Sequence, residues 1–149
     1  MDRITHDDLI TAGKRWLNRS WRNASEEGHG RCSLILTELV CNTVTGEVPD
    51  VIGWYFRDSI LIECKVSRSD FLADRKKVFR QLPELGAGVQ RWYLTPAGLL
   101  TVADLPEGWG LLEADARARV AVIRPSGRFP ANRDIEIAML LSAIRRMKP

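Results

Sequence analysis

Apolar residues follow helical spacing near both ends of the chain and gather into short, β-branched runs between them. Thr5-His6-Asp7-Asp8 has the form of a helix start, with Thr5 as N-cap and acids in the first turn, and Leu9, Ala12, Trp16 and Leu17 follow at helical intervals. This spacing predicts a helix over 6–21. After a loop at 25–30, Cys32 to Val44 predicts a strand that Thr45-Gly46-Glu47-Val48-Pro49 ends. Val51 to Phe56 and Ile60 to Val66, joined by Arg57-Asp58-Ser59, predict a β-hairpin in which Ile60, Ile62, Cys64 and Val66 share one face. Ser67-Arg68-Ser69-Asp70 opens a second predicted helix, with Phe71, Leu72, Val78, Phe79 and Leu82 as its apolar stripe up to Pro83. Strands are expected at 91–95 and 119–123, and short strands or turns at 99–102 and 111–112. Asn132 caps a last helix whose Ile137, Leu140, Leu141 and Ile144 are expected to face the core. The order α-β-β-β-α-β-β-α predicts one α/β domain with a central sheet flanked by helices.

Composition narrows this picture. The chain has 149 residues, 45% apolar and 28% charged, the profile of a soluble globular domain. A domain of this size buries roughly 68 to 70% of its unfolded surface, so disulfides and structural metals are not needed. The apolar run from Ile137 to Ile144 falls far short of the about 20 residues that cross a bilayer. The acidic N-terminus lacks the apolar core of a secretory signal, which predicts a cytoplasmic protein. Cys32, Cys41 and Cys64 are odd in number and have no CxxC spacing, and with only His6 and His29 to add they give zinc little support.

The net charge of +3 conceals strong segregation. Residues 65–80 carry six Lys or Arg against Asp70 and Asp74, and residues 117–148 carry eight against Asp134 and Glu136. Residues 32–64 hold five acids against Arg57 alone. Carboxylates that hold a cation, beside Lys and Arg that hold phosphates, suit a metal-dependent enzyme acting on a polyanion; solvated helix faces are the plainer explanation of the basic runs. Trp16, Trp21, Trp54, Trp92 and Trp109 are expected in the core rather than stacked on bases.

Glu63 and Lys65 lie two residues apart in a predicted strand, so they project from one face about 6 to 7 Å apart while Cys64 points to the other. Asp50 opens the preceding strand and can reach the same edge. Two carboxylates there would repel each other unless a divalent cation lay between them, and hard oxygen ligands suit Mg2+ or Mn2+. The Cys64 carbonyl can add a backbone ligand. Glu38 is the candidate third carboxylate, with Glu47 in competition.

Pro49-Asp50 followed by Glu63-Cys64-Lys65 resembles the PD-(D/E)xK nuclease superfamily. The run from Val66 to Lys77, Arg91-Trp92-Tyr93-Leu94-Thr95-Pro96 and the segment from Leu105 to Leu112 look like its small bacterial and phage MmcB-like branch, associated with DNA repair. The resemblance covers about Glu38 to Leu112. It implies a restriction-endonuclease-like fold with a central mixed sheet, and a metal-dependent nuclease acting on DNA in repair, recombination or phage replication. Asp50, Glu63, Lys65 and Glu38 would be catalytic, and Asp50, Glu63, Cys64 and Glu38 would hold Mg2+, with Mn2+ as substitute. Ser67, Arg68, Arg75, Lys76, Lys77 and Gln81 would contact nucleic acid. One departure is that the superfamily often carries its first glutamate on the leading helix, where this chain has none before Glu26. A DNA-binding module without turnover and an RNA-processing nuclease are the alternatives. Monomer and homodimer both remain open.

Overall fold

The computed structural model describes residues 3–19, 31–38 and 43–147. Helix α1 (His6–Leu17) starts on a capping box: the Asp8 amide donates to Thr5 Oγ1 at 3.2 Å and the Thr5 amide donates to Asp8 Oδ2 at 2.9 Å. It ends at Leu17, short of the predicted residue 21. Strand β1 is only Leu34–Thr37, not the whole of 32–44, because Glu38 takes a left-handed φ of 48° and turns the chain out of the sheet. The predicted hairpin is present as β2 (Val51–Tyr55) and β3 (Asp58–Cys64). Strands β4 (Gln90–Pro96), β5 (Gly110–Ala114) and β6 (Val120–Arg124) complete a six-stranded sheet in sequence order. The β3/β4 and β4/β5 pairs are parallel and the others antiparallel. The fold is therefore α/β, a mixed sheet with flanking helices. The segment predicted at 99–102 is a turn leading into a short 3-10 helix (Val102–Asp104).

Strand alternation divides the core. Ile60, Ile62 and Cys64 face α1, with Leu9, Trp16, Leu17, Trp92 and Leu94. Leu61 faces the opposite side, with Phe71, Tyr93, Trp109, Ile135 and Met139. Gly53 permits the close approach of α1, since a Cβ there would stand 3.0 Å from Cys32 Sγ and 3.1 Å from Leu17. Trp16, Trp54, Trp92 and Trp109 are all buried, which removes them as base-stacking platforms. Trp21, His29, Cys41 and Lys148 lie outside the described residues.

Two helical expectations are corrected. The single helix predicted up to Leu82 is two helices, α2 (Arg68–Arg75) and α3 (Val78–Gln81), with Lys77 extended between them. Of its predicted stripe only Phe71 and Phe79 are buried; Leu72, Val78 and Leu82 are exposed. The break turns Arg80 inward, where buried carboxylates hold it. In helix α4 (Arg133–Arg146), Ile137, Leu141 and Ile144 are 54%, 47% and 54% exposed, and only Leu140 of the predicted face packs partly on the core. The buried face is Ile135, Glu136, Met139 and Ala143. Glu136 sets this rotation, because its Oε2 accepts hydrogen bonds from Ser59 Oγ at 2.7 Å and from the Gly88 amide at 2.9 Å. A buried carboxylate with two donors outweighs the apolar residues that the helix leaves in water.

Candidate active site

The carboxyl end of β3 gathers the sequence-predicted carboxylates and lysine. Asp50 Oδ2 accepts the Cys64 amide at 2.8 Å, which ties the start of β2 to the end of β3. Asp50 Oδ1 is 3.4 Å from His6 Nε2, at the first turn of α1. The Glu38 amide donates to the Asp50 carbonyl at 2.9 Å, so Glu38 leaves β1 beside Asp50. His6, Asp7 and Glu38 offer ligand atoms within 4.8 Å of one another. They are exposed or half-buried, and proximity alone assigns them no ion.

Glu63 is 3% exposed, on the face of β3 opposite Cys64. Its Oε1 is 3.1 Å from Arg80 Nη2 and its Oε2 is 3.7 Å from Lys65 Nζ. Lys65 Nζ is also 3.7 Å from Asp74 Oδ1, so two carboxylates bracket the ammonium, as the same-face spacing of Glu63 and Lys65 requires. Burial raises the Glu63 carboxyl to about 8; the Arg80 guanidinium opposes this, while the charges of Asp50 and Asp74 add to it. Burial, joined by the charges of Asp50, Glu63 and Glu38, pushes the Cys64 thiol well above its ordinary range, so Cys64 contributes through its backbone and its packing.

Behind these residues lies a network that sequence reasoning left out. Arg80 donates to Glu47 at 2.7 Å and to Asp74 at 3.0 Å, in addition to its contact with Glu63. Its guanidinium lies 4.9 Å from the ring centroids of both Phe79 and Trp109. The Tyr93 hydroxyl donates to Asp74 Oδ2 at 2.7 Å. Burial opposes the charge on Arg80, but the three carboxylates outweigh it and hold the guanidinium protonated. Burial likewise opposes ionisation of Asp74, yet Arg80 and Lys65 keep its carboxyl below the ordinary value. Glu47, the rival to Glu38, belongs to this scaffold, since its Oε1 also accepts the Ala87 amide at 2.8 Å. The only sequence signals for these residues were acids and an arginine inside apolar segments. Tyr93 enters because parallel pairing sets it opposite Glu63.

The residues expected to touch nucleic acid are mostly engaged within the protein. Ser67 Oγ caps α2 by accepting the Asp70 amide at 3.2 Å. Arg68 is bidentate to Asp104, both bonds 3.1 Å, and Arg75 donates to the Asp104 carbonyl at 3.2 Å. Gln81 donates to the Arg75 carbonyl at 2.7 Å. Lys77 is 3.3 Å from Asp74, and Lys76 is exposed. A cavity of about 320 Å³ opens at the site, lined by His6, Lys65, Asp70, Asp74 and Lys77 among others.

Fold and site together define an α/β protein with two carboxylates and a lysine at the carboxyl end of a central strand. No family model matches the chain, and no curated protein matches it. Among solved structures it is similar to the SPO1766 protein of unknown function from Silicibacter pomeroyi, at 28% identity over 76% of each chain and a TM-score of 0.55. No helix among the described residues is long and apolar enough to cross a membrane.

Proposed function

We propose that this protein is a metal-dependent nuclease of the PD-(D/E)xK type, with the restriction-endonuclease-like version of the α/β fold, and that it hydrolyses phosphodiester bonds in DNA. The observation that carries this reading is the placement of Lys65 Nζ 3.7 Å from Glu63 Oε2, with Asp50 hydrogen-bonded to the intervening Cys64 amide, beside an open cavity. The donor set fits a hard divalent cation: Asp50, Glu63 and the Cys64 carbonyl would hold Mg2+ or Mn2+, with Glu38 and His6 beside Asp50. Asp50 raises the proton affinity of Glu63, the repulsion that a shared cation relieves. When bound, the cation would polarise the phosphate and lower the pKa of a coordinated water. Lys65, held between Glu63 and Asp74, orients the attacking water or neutralises charge developing on the phosphate. The water oxygen bonds to phosphorus as the water proton passes to solvent or a site base, and the bond to the leaving sugar oxygen breaks as that oxygen takes a proton from solvent, giving a phosphate monoester and a sugar hydroxyl.

One observation favours a DNA-binding module without turnover: both Glu63 oxygens already face cations, Arg80 and Lys65. Metal-dependent cleavage of a labelled DNA panel separates the two readings. On the nuclease reading, Asp50→Ala abolishes cleavage. Lys65→Met lowers the single-turnover rate at least about 10²-fold while Mn2+ affinity stays within a few-fold. Cleavage that survives chelator, or Lys65→Met at the parent rate, would overturn it.

A further inference from the structure

A groove of about 520 Å³ runs between α1 and the turn into β6, lined by Ala12, Arg15, Arg19, Ala118, Arg119 and Val120. Its floor is apolar and its rim carries three guanidiniums. No carboxylate among the described residues is paired with Arg15 or Arg19, and neither guanidinium has another protein partner there. Arg119 is held through Nε by Asp115 at 2.8 Å, which leaves its two terminal nitrogens directed to no acceptor. Cations at the end of a helix also favour the macrodipole, and that alone would account for Arg15. It does not account for Arg119, which comes from a different element, or for Arg31, whose Nε is fixed to Asn18 Oδ1 at 3.0 Å beside the same helix end.

The position of the groove relates it to the site. Arg15 lies nine residues along α1 from His6, about 13 to 14 Å at 1.5 Å per residue, and His6 lines the catalytic cavity. The turn carrying Ala118 and Arg119 follows β5, whose Leu112 is in register with Leu94 and through it with Cys64, so it leaves the sheet at the carboxyl ends where Lys65 also emerges. A concave apolar floor has little to offer a duplex, whose bases are stacked inside. An unstacked strand can seat a sugar or base there with phosphates on the rim.

We infer that this groove is a second nucleic-acid site, which binds a single-stranded segment of the substrate through phosphates on Arg15, Arg19 and Arg119. The identity of the polyanion rests on the nuclease reading; the groove and its charge do not. Fluorescence anisotropy with labelled dT12 and a 12-base-pair duplex, in chelator so that nothing is cleaved, tests it on the full chain. The triple variant Arg15→Ala/Arg19→Ala/Arg119→Ala should bind dT12 about tenfold or more weakly at low salt. Its slope of log K against log salt should be shallower by about 2, the share of three single-strand phosphate contacts. Duplex binding should fall less, and replacing all three by Lys should retain most dT12 affinity. If the triple variant loses its parent circular dichroism spectrum, the single variant Arg15→Glu carries the comparison.

The groove is refuted if the variants bind dT12 with the parent affinity and slope, or if the parent binds no dT12. It is also refuted if the substitutions abolish binding to phosphatidylglycerol vesicles and leave dT12 untouched. The two proposals fail separately. Cleavage lost in Asp50→Ala with dT12 binding unchanged in the triple variant leaves the nuclease standing and removes the groove. No cleavage by the parent, with dT12 binding lost in the triple variant, does the reverse.

Discussion

Replacing Arg80 by Met keeps much of the stem and deletes the guanidinium on which Glu47, Glu63 and Asp74 converge at 2.7, 3.1 and 3.0 Å. The Arg80 side chain is 2% exposed, so water cannot substitute for it. Removing one partner of a buried ion pair costs about 3 to 5 kcal/mol, and here one cation serves three acids, so a loss of at least about 4 kcal/mol is expected at pH 7. Domains of this size are stable by about 5 to 15 kcal/mol. Arg80→Met should therefore lower the urea midpoint by roughly 2 M, taking a slope near 2 kcal/mol/M.

The pH dependence isolates the electrostatic cause. Arg80 is the leading favourable influence that keeps the Asp74 carboxyl low in the parent. A depressed carboxyl contributes stability that is present above its unfolded pKa and lost as pH falls through the folded one. The gap between parent and variant should therefore hold from pH 7 down to about 4 and shrink below the ordinary Asp74 value of 3.8, as the folded carboxyl takes up its proton, and adding Glu47→Gln should recover part of the loss at pH 7. A loss below about 1 kcal/mol at pH 7, or one that does not change with pH, would show that Arg80 acts by packing alone.

Tyr93→Phe removes the 2.7 Å hydrogen bond to a buried Asp74 oxygen and should cost about 1 to 3 kcal/mol in chemical denaturation; no loss would mean that Arg80 alone satisfies that oxygen. Glu63 is raised from an ordinary 4.5 to about 8, so the folded chain keeps a proton that the unfolded chain releases, and stability from this group falls as pH rises between those values. Glu63→Gln should flatten that stretch of the stability profile measured in chelator, and an unchanged slope would place the proton elsewhere. On α4, Ile137→Ala and Leu141→Ala should each cost under about 1 kcal/mol, against about 2 to 5 for Met139→Ala. Equal costs would return the outward face to the core.

Much of the sheet was legible because strand alternation is local: Ile60, Ile62 and Cys64 share the face that the sequence pattern assigns them, and Glu63 and Lys65 sit together as spacing requires. The helices were less so. Their apolar residues are distributed widely enough to allow more than one rotation, and long-range polar contacts choose between them: Glu136 with Ser59 turns α4, and Arg80 with its three acids divides the segment after Ser67. Glu38, Asp50, Glu63 and Lys65 come together at one strand end, but the order of β3, β4 and β5 that sets Tyr93 behind Glu63 is a tertiary fact with no sequence period.

That difference has a consequence for the site itself. Glu47, Asp74, Tyr93 and Arg80 are buried and paired among themselves, whereas Asp50, Glu38 and His6 meet near the surface with fewer internal bonds. Glu63 belongs to both sets, with one oxygen toward Arg80 and the other toward Lys65. A carboxylate held from behind by a guanidinium loses rotamer freedom before any ligand arrives, so its orientation need not be fixed at the moment of binding. On the nuclease reading, substitutions in the buried set should act first through stability and through the orientation of Glu63 and Lys65. Substitutions at Asp50 should abolish turnover in a chain that still folds and loses only the bond to the Cys64 amide, about 1 to 3 kcal/mol. The break between α2 and α3, which costs the chain a longer helix, is what brings Arg80 into that supporting position.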